Sequence, residues 1–171
     1  MYGTNLTDLE GESGELRISV SDTDIVLYFP FLEAANQCIK GIEGAEFSSS
    51  DKSWSLPITD DNWRQVRDAV EAVREAFASE QRKAEHRAQV RLEIADMVLA
   101  RLQRDFSHPK LNLDVVEGDI SLSFPYSPKA VQIMRKVEGR RWDGEEKVWL
   151  LPADEEKKIR SALKALRKVI A

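Results

Sequence analysis

Five cations crowd into a short stretch near the end of the chain: Arg135, Lys136, Arg140, Arg141 and Lys147. A cluster of that density can neutralise several phosphates, each contact adding close to one unit of salt dependence to binding. Trp142 stands in the middle of it, and an indole so placed can stack on a base, a contact of about 1–3 kcal/mol. The blander reading is a solvated rim, with Glu138, Asp143, Glu145 and Glu146 pairing locally. Other chemistry is thinly supplied. His86 and His108 are too far apart for a metal pair at helical spacing. The single cysteine, Cys38, permits neither an internal disulfide nor a cysteine-based metal site. No Ser/His/Asp set can be recognised from spacing, and the carboxylates are numerous but unpatterned. The expectation is a protein without catalytic activity, metal or cofactor.

The bulk properties fit a soluble globular chain of one domain or two small ones, with 42% hydrophobic residues and 32% charged. No apolar run approaches the length of a membrane helix, and "MYGTNLTDLEGESGE" lacks the basic-then-apolar pattern of a signal segment, so a cytoplasmic protein is expected. The formal net charge of −5 hides an asymmetry. Acid is concentrated in Met1–Ala78, whereas Pro109–Ala171 carries a surplus of Lys and Arg.

The elements that position the cluster come from a repeat. Leu16–Pro57 aligns without a gap on Leu111–Pro152, and about 15 of the roughly 42 positions are identical. Phe29/Phe124, Pro30/Pro125, Gly44/Gly139, Lys52/Lys147, Trp54/Trp149 and Pro57/Pro152 are among the shared pairs. Each copy reads as strand, strand, helix, strand, strand, helix. Leu16, Ile18 and Val20, and Leu111, Leu113 and Val115, alternate with polar residues as half-buried strands do. The second strand stops at Pro30 or Pro125, which has no N–H for the ladder. Helical spacing over Ala34–Ile42 and Lys129–Val137 ends before a glycine. A hairpin follows, and the last helix opens near Thr59/Asp60 or Asp154, residues suited to an N-cap. The fold class is α+β: two tandem ββαββα repeats, each a small antiparallel sheet with two helices, joined by a long helical linker. The domain reading is a flexible N-terminus over 1–14, an acidic repeat over 15–78, a linker over 79–108 and a basic repeat over 109–171. The linker has no Gly or Pro from Ser79 to Phe106. Val90, Ile94, Met97, Val98, Leu102 and Phe106 give its second half a packed face.

The segments "LYFPFLEAANQCIKGIEGAEFSSSDKSWSLP" and "SFPYSPKAVQIMRKVEGRRWDGEEKVWLLP" resemble the HARP domain, the HepA-related module of annealing helicases. The shared frame is an aromatic strand ending near Pro, a helix, a glycine turn, an aromatic, an acidic turn and Lys-x-Trp-x-x-Pro. It covers about two-thirds of the chain and occurs twice. The resemblance implies a module that binds structured DNA and favours single-strand/double-strand junctions. The family's ATP-driven motor has no counterpart here: no G-x-x-x-x-G-K-[ST] loop occurs, so ATP hydrolysis is not expected.

Trp54, Trp149, Phe29 and Phe124 share the inward phase of Leu56 and Leu151, which favours core over base stacking. Trp142 and Phe47 have no clear phase; core is the leading reading and stacking the alternative. Cys38 aligns with Ile133 on an apolar helix face and reads as a core residue. The basic set is Arg135, Lys136, Arg140, Arg141 and Lys147 in the second copy and only Lys40 and Lys52 in the first. Gly41, Ala45 and Glu46 stand in the first copy where the second has Lys136, Arg140 and Arg141. Val26 and Tyr28 in one copy, and Val148 and Leu150 in the other, put apolar residues on the outer sheet face, a candidate surface for a partner, for the other repeat or for the linker helix. Arg82, Lys83, Arg87 and Arg91 on the linker are interleaved with glutamates and read as a solvated face. The expected function is non-enzymatic nucleic-acid binding, reading DNA backbone or junction shape mainly through the second repeat. The alternative is an adaptor or inhibitor whose acidic first repeat engages the basic surface of a nucleic-acid enzyme. A third reading is a structural subunit that forms a homodimer through the linker helix.

Overall fold

The computed structural model describes residues 6–170. The chain divides between Lys83 and Ala84 into two compact units. The first holds β1 (Gly11–Ser13), β2 (Leu16–Val20), β3 (Asp24–Tyr28), α1 (Glu33–Ile39), β4 (Glu46–Ser48) and β5 (Ser53–Pro57). These strands form one antiparallel sheet in the order β1-β2-β3-β5-β4. The second holds β6 (Asn112–Val116), β7 (Asp119–Ser123), α3 (Pro128–Met134), β8 (Arg141–Asp143), β9 (Val148–Pro152) and α4 (Glu156–Arg167). Its sheet is four-stranded and antiparallel, in the order β6-β7-β9-β8. The architecture is α+β, with the long helix α2 (Trp63–Phe106) between the two sheets in the sequence.

The strands form where β-branched and leucine residues alternate. Ile18 pairs with Leu27, which in turn pairs with Trp54, and Ile25 pairs with Leu56. In the second unit Leu113, Leu122 and Trp149 stand across from one another in the same way. These inward side chains build two separate apolar cores. Ile18, Ile25, Leu27 and Leu56 pack with Ile39 of α1 and Val66, Val70 and Val73 of α2. Leu113, Ile120, Leu122 and Leu151 pack with Met134 of α3, Ile159, Leu163 and Leu166 of α4, and Ala95, Val98 and Leu102 of α2. Each buried Leu or Ile contributes about 1.5–3 kcal/mol by leaving water.

Two expectations from the sequence need correction, and a third, left open, is decided. The stretch read as a flexible N-terminus has structure from Leu6 on. Leu6–Leu9 makes a 3-10 turn, and Gly11–Ser13 adds an edge strand to Leu16–Ile18. Leu9 is the reason: it is fully buried, Asp8 accepts a hydrogen bond from Arg67 at 2.7 Å, and the Leu9 carbonyl accepts one from Arg74. Residues 1–5 lie outside the described part. The linker, read as a helix that could continue the one opening near Asp60, does continue it. α2 runs unbroken from the first core into the second, and its Ala95, Val98, Leu102 and Phe106 belong to the latter. Its packed stripe is also shifted. Val90, Ile94 and Met97 are 38, 38 and 57% exposed, because Ala95 and its successors at three- and four-residue spacing supply the face that reaches the core. α2 starts at a reciprocal cap, with the Thr59 N–H donating to Asn62 Oδ1 at 2.8 Å and the Asn62 N–H to Thr59 Oγ1 at 3.2 Å.

One close approach recurs in both units. Gly44 and Gly139 follow the short helices with φ of +77° and +72°. A Cβ at either would sit 2.9 Å from Pro57 Cγ or 3.0 Å from Pro152 Cγ. Only glycine fits both the backbone and the space. Gly139→Ala should therefore cost about 2 kcal/mol or more, the left-handed penalty plus the clash. Urea unfolding followed by tryptophan fluorescence would read it as a lowered midpoint, and an unchanged midpoint would mean the contact is slack.

In the second unit Arg160 of α4 bridges Asp105 of α2 at 2.6 Å and Glu156 at 2.7 Å. The Arg160 guanidinium, with Arg104 beside it, holds the Asp105 carboxyl below its ordinary value. Because the folded-state value is depressed, this contribution is in force above the unfolded carboxylate pKa, about 4, and is lost as pH falls through the folded value. Asp105→Asn should lower the thermal midpoint at neutral pH, by a margin that shrinks as the pH falls below about 4, as read by circular dichroism melts.

Candidate functional site

The shared frame of the two copies opens a groove in each unit. β7 ends before Pro125, so the chain leaves the sheet and Tyr126 stands 83% exposed; Phe31 after Pro30 is 80% exposed in the first unit. The short helices stop at Lys40 and Arg135, which place a cation beside the mouth of each groove. The hairpins close the other side. Phe47 pairs directly with Trp54 and Trp142 with Trp149, their ring centroids 5.3 and 5.0 Å apart in tilted geometry. At the hairpin turns Lys52 and Lys147 have φ of 53° and 57°, a left-handed conformation that non-glycine residues rarely adopt.

The groove of the second unit has a volume of about 600 Å³ and is lined by Phe124, Tyr126, Trp142, Trp149, Arg135 and Lys147, with Ser123 and Val131. No carboxylate lines it, and neither Arg135 nor Lys147 enters an ion pair among the described residues. The first unit's groove is larger, about 970 Å³, and keeps the aromatic frame of Phe29, Phe31, Phe47 and Trp54. Its charges are mixed: Arg17, Lys40 and Lys52 line it together with Glu15 and Asp51. Lys40 lies 4.0 Å from Glu33, and Arg17 lies 3.8 Å from Glu12 and over the Tyr28 ring at 5.1 Å. Such exposed pairs are worth little in stability, but they dilute the positive field that a phosphate would meet.

The fold brings some of the expected basic residues together and separates others. Arg135, Lys147 and Trp142 share the second groove, and Lys40 and Lys52 share the first. Lys136 is exposed outside the groove lining. Arg140 turns back to donate to the Val137 carbonyl at 3.0 Å. Arg141 is engaged on the other face of the sheet, where its Nη2 meets Asp119 at 2.7 Å and Arg91 of α2 meets the other oxygen of the same carboxylate at 2.6 Å. Asp119's side chain is only 3% exposed, so two cations compensate one buried charge. Arg91, read as part of a solvated helix face, is thus a structural partner.

The aromatic expectations also shift. Trp142 and Phe47 are 52 and 53% exposed rather than core. Trp54 and Trp149 keep their inward phase but are only half-buried, since the short helices end before covering them. On the outer face Val26, Tyr28 and Val148 are half-buried, while Leu150 is buried and offers no open surface. Reading the sequence missed Phe31, Tyr126 and Asn36. The signal for the first two was present: an aromatic directly after the strand-ending proline in both copies.

Among the described residues no group of three or more His, Cys, Asp or Glu side chains is placed to hold a metal ion, and no helix is long and apolar enough to cross a membrane. Compared with known proteins, the chain matches no family model, no curated protein and no solved structure. What the grooves can do chemically is therefore the ground for function. Exposed aromatic rings with cations at the rim can stack flat rings and hold anions beside them.

The strained lysine separates stability from use. Lys147→Gly should raise the unfolding free energy by about 1 kcal/mol, by removing the left-handed penalty, while deleting one cation from the groove. Urea midpoints compared with the parent chain would show the gain, and a loss instead would mean that the Lys147 side chain stabilises the hairpin.

Proposed function

We propose that this chain is a non-enzymatic nucleic-acid-binding protein that recognises DNA backbone and junction shape, mainly through the groove of its second unit. The two units are taken as duplicated ββαββα modules of the HARP-like kind, the first supplemented by its edge strand. The observation that carries the reading is the second groove itself. Four aromatic rings line it, two of them largely exposed, and Arg135 and Lys147 stand at its rim with no carboxylate among the lining residues. An apolar pocket for an uncharged ligand would not call for two unpaired cations. A lysine kept in a left-handed turn, where glycine would be easier, supports a role for its side chain.

The roles follow from the geometry. Trp142 and Tyr126 would stack unpaired bases, and Arg135 and Lys147 would hold the adjoining phosphates. Shape selectivity for a fork would arise because stacking needs an unpaired base while phosphate contacts are met by either strand. The adaptor reading has one specific support: Glu15 and Asp51 line the first groove, so a basic partner would find carboxylates beside its aromatic rings.

Fluorescence anisotropy of labelled single-stranded, duplex and forked DNA with the whole chain, at several salt concentrations, tests the proposal. Forked DNA should bind best. Arg135→Glu/Lys147→Glu should weaken it at least tenfold and reduce the slope of log K against log salt by about 1.5–2. Trp142→Ala should cost about 1–3 kcal/mol of affinity with little change in that slope. Both variants alter exposed positions, so unchanged melting curves would certify their fold. Absence of DNA binding at low salt, together with binding to a polycationic peptide, would replace this reading with the adaptor.

A further inference from the structure

Besides their charges, the two grooves differ at one position of the short helix, Asn36 against Val131. In the first unit the Trp54 indole Nε1–H donates to Asn36 Oδ1 at 3.0 Å. An indole nitrogen can only donate, so this bond fixes which end of the carboxamide faces the tryptophan. The oxygen is turned toward Trp54, and the Nδ2 amide group is turned away from it. Asn36 is 8% exposed and lines the groove. Among the described residues Nδ2 has no hydrogen-bond partner, yet no side-chain nitrogen or oxygen that is cut off from solvent is left unsatisfied. Nδ2 therefore keeps some exposure, and the groove is the cavity that Asn36 lines. A nearly buried side chain presents N–H donors there, with its acceptor occupied from behind.

From these positions the geometry points to a base-reading subsite in the first groove, selective for a flat ring that carries an exocyclic carbonyl oxygen. The inference rests on the nucleic-acid reading above and deepens it. Phe47 and Trp54 form the aromatic wall, Phe31 stands out beside it, and Lys52 lies at the rim, so a base entering the groove would stack with its edge toward Asn36. Thymine, uracil and guanine present a carbonyl oxygen that accepts from Nδ2–H. Adenine carries no carbonyl oxygen: its exocyclic amino group donates, so Nδ2–H could be met only at a ring nitrogen, with the amino group competing beside it. In the second unit the equivalent helix position is Val131, which also lines its groove. With no amide there, stacking beside Arg135 and Lys147 is indifferent to base. One copy grips and the other reads, in keeping with the general division between phosphate contacts that position and base contacts that specify.

The test compares labelled ten-nucleotide oligo-dT and oligo-dA on the whole chain by fluorescence anisotropy at one fixed salt concentration. The parent protein should favour oligo-dT about fivefold to tenfold, the scale of one hydrogen bond and its avoided mismatch. Asn36→Asp is the decisive variant. It keeps an acceptor for the Trp54 indole, and so the fold, but replaces the donors by a second acceptor. The ratio of the two affinities should fall to one or below; the added charge cancels in that ratio because both strands carry the same phosphates. Asn36→Val, which copies the second groove, should likewise remove the preference. Equal affinities in the parent, or a preference for oligo-dT that persists in both variants and so reflects only strand stiffness, would overturn the subsite while leaving nucleic-acid binding intact. Failure of the parent to bind either oligonucleotide would overturn both.

Discussion

The contact on which each groove depends is the press of a glycine against the proline that ends the hairpin, Gly44 on Pro57 and Gly139 on Pro152. The glycine ends the turn after the short helix in a left-handed conformation, and the proline, at the end of β5 or β9, can donate nothing to a further ladder. Together they fix where the chain leaves the helix and enters the hairpin. The register follows: Phe47 falls opposite Trp54, and Trp142 opposite Trp149. A slip of one residue would turn the aromatic pair to the other face and send Lys52 or Lys147 away from the groove. The short helices, only seven residues each, then end before they cover the tryptophans. The groove is the space that this early stop leaves open.

The two copies diverge in charge without diverging in this frame. Asp24 and Asp119 occupy the same place in the alignment. Asp24 accepts from the neighbouring Thr23 hydroxyl at 2.6 Å and serves its turn, whereas Asp119 is buried between Arg91 and Arg141. The second arrangement requires an arginine on α2, and that element lies before the repeat in the sequence. The first unit fills the corresponding preceding place with Leu6–Leu9, which contributes the buried Leu9 and is tied down by Arg67 and Arg74. Each unit is thus completed by a different segment. α2 serves both units because its sequence carries two apolar stripes, Val66–Val73 and Ala95–Phe106, with an uninterrupted run of exposed residues between them.

Much of this was legible in the chain. The alternation of Leu, Ile and Val set the strands, Pro30 and Pro125 set their ends, and the self-alignment matched strands and short helix of one stretch with those of the other, because period and backbone chemistry are local properties. The aromatic and basic composition of the second groove could also be anticipated: Arg135, Lys147 and Trp142 were candidates on type and spacing alone. What failed was the assignment of cations that lie next to each other in sequence to one surface. Arg140 and Arg141 are neighbours, yet one caps a carbonyl and the other crosses to a buried carboxylate, since successive side chains around a strand face opposite ways.

The sequence by itself determined the elements, their order and the repeated hairpin, since these follow from hydrophobic period, proline and glycine. Only the tertiary structure decided which aromatics are open and which carboxylates offset which cations. Trp54 has the phase of a core residue and is one in part, but its exposed edge depends on where α1 stops at Ile39, and its indole decides how Asn36 is turned. Burial and hydrogen-bond partnership are properties of neighbours in space, and neither is written in the spacing of a single strand.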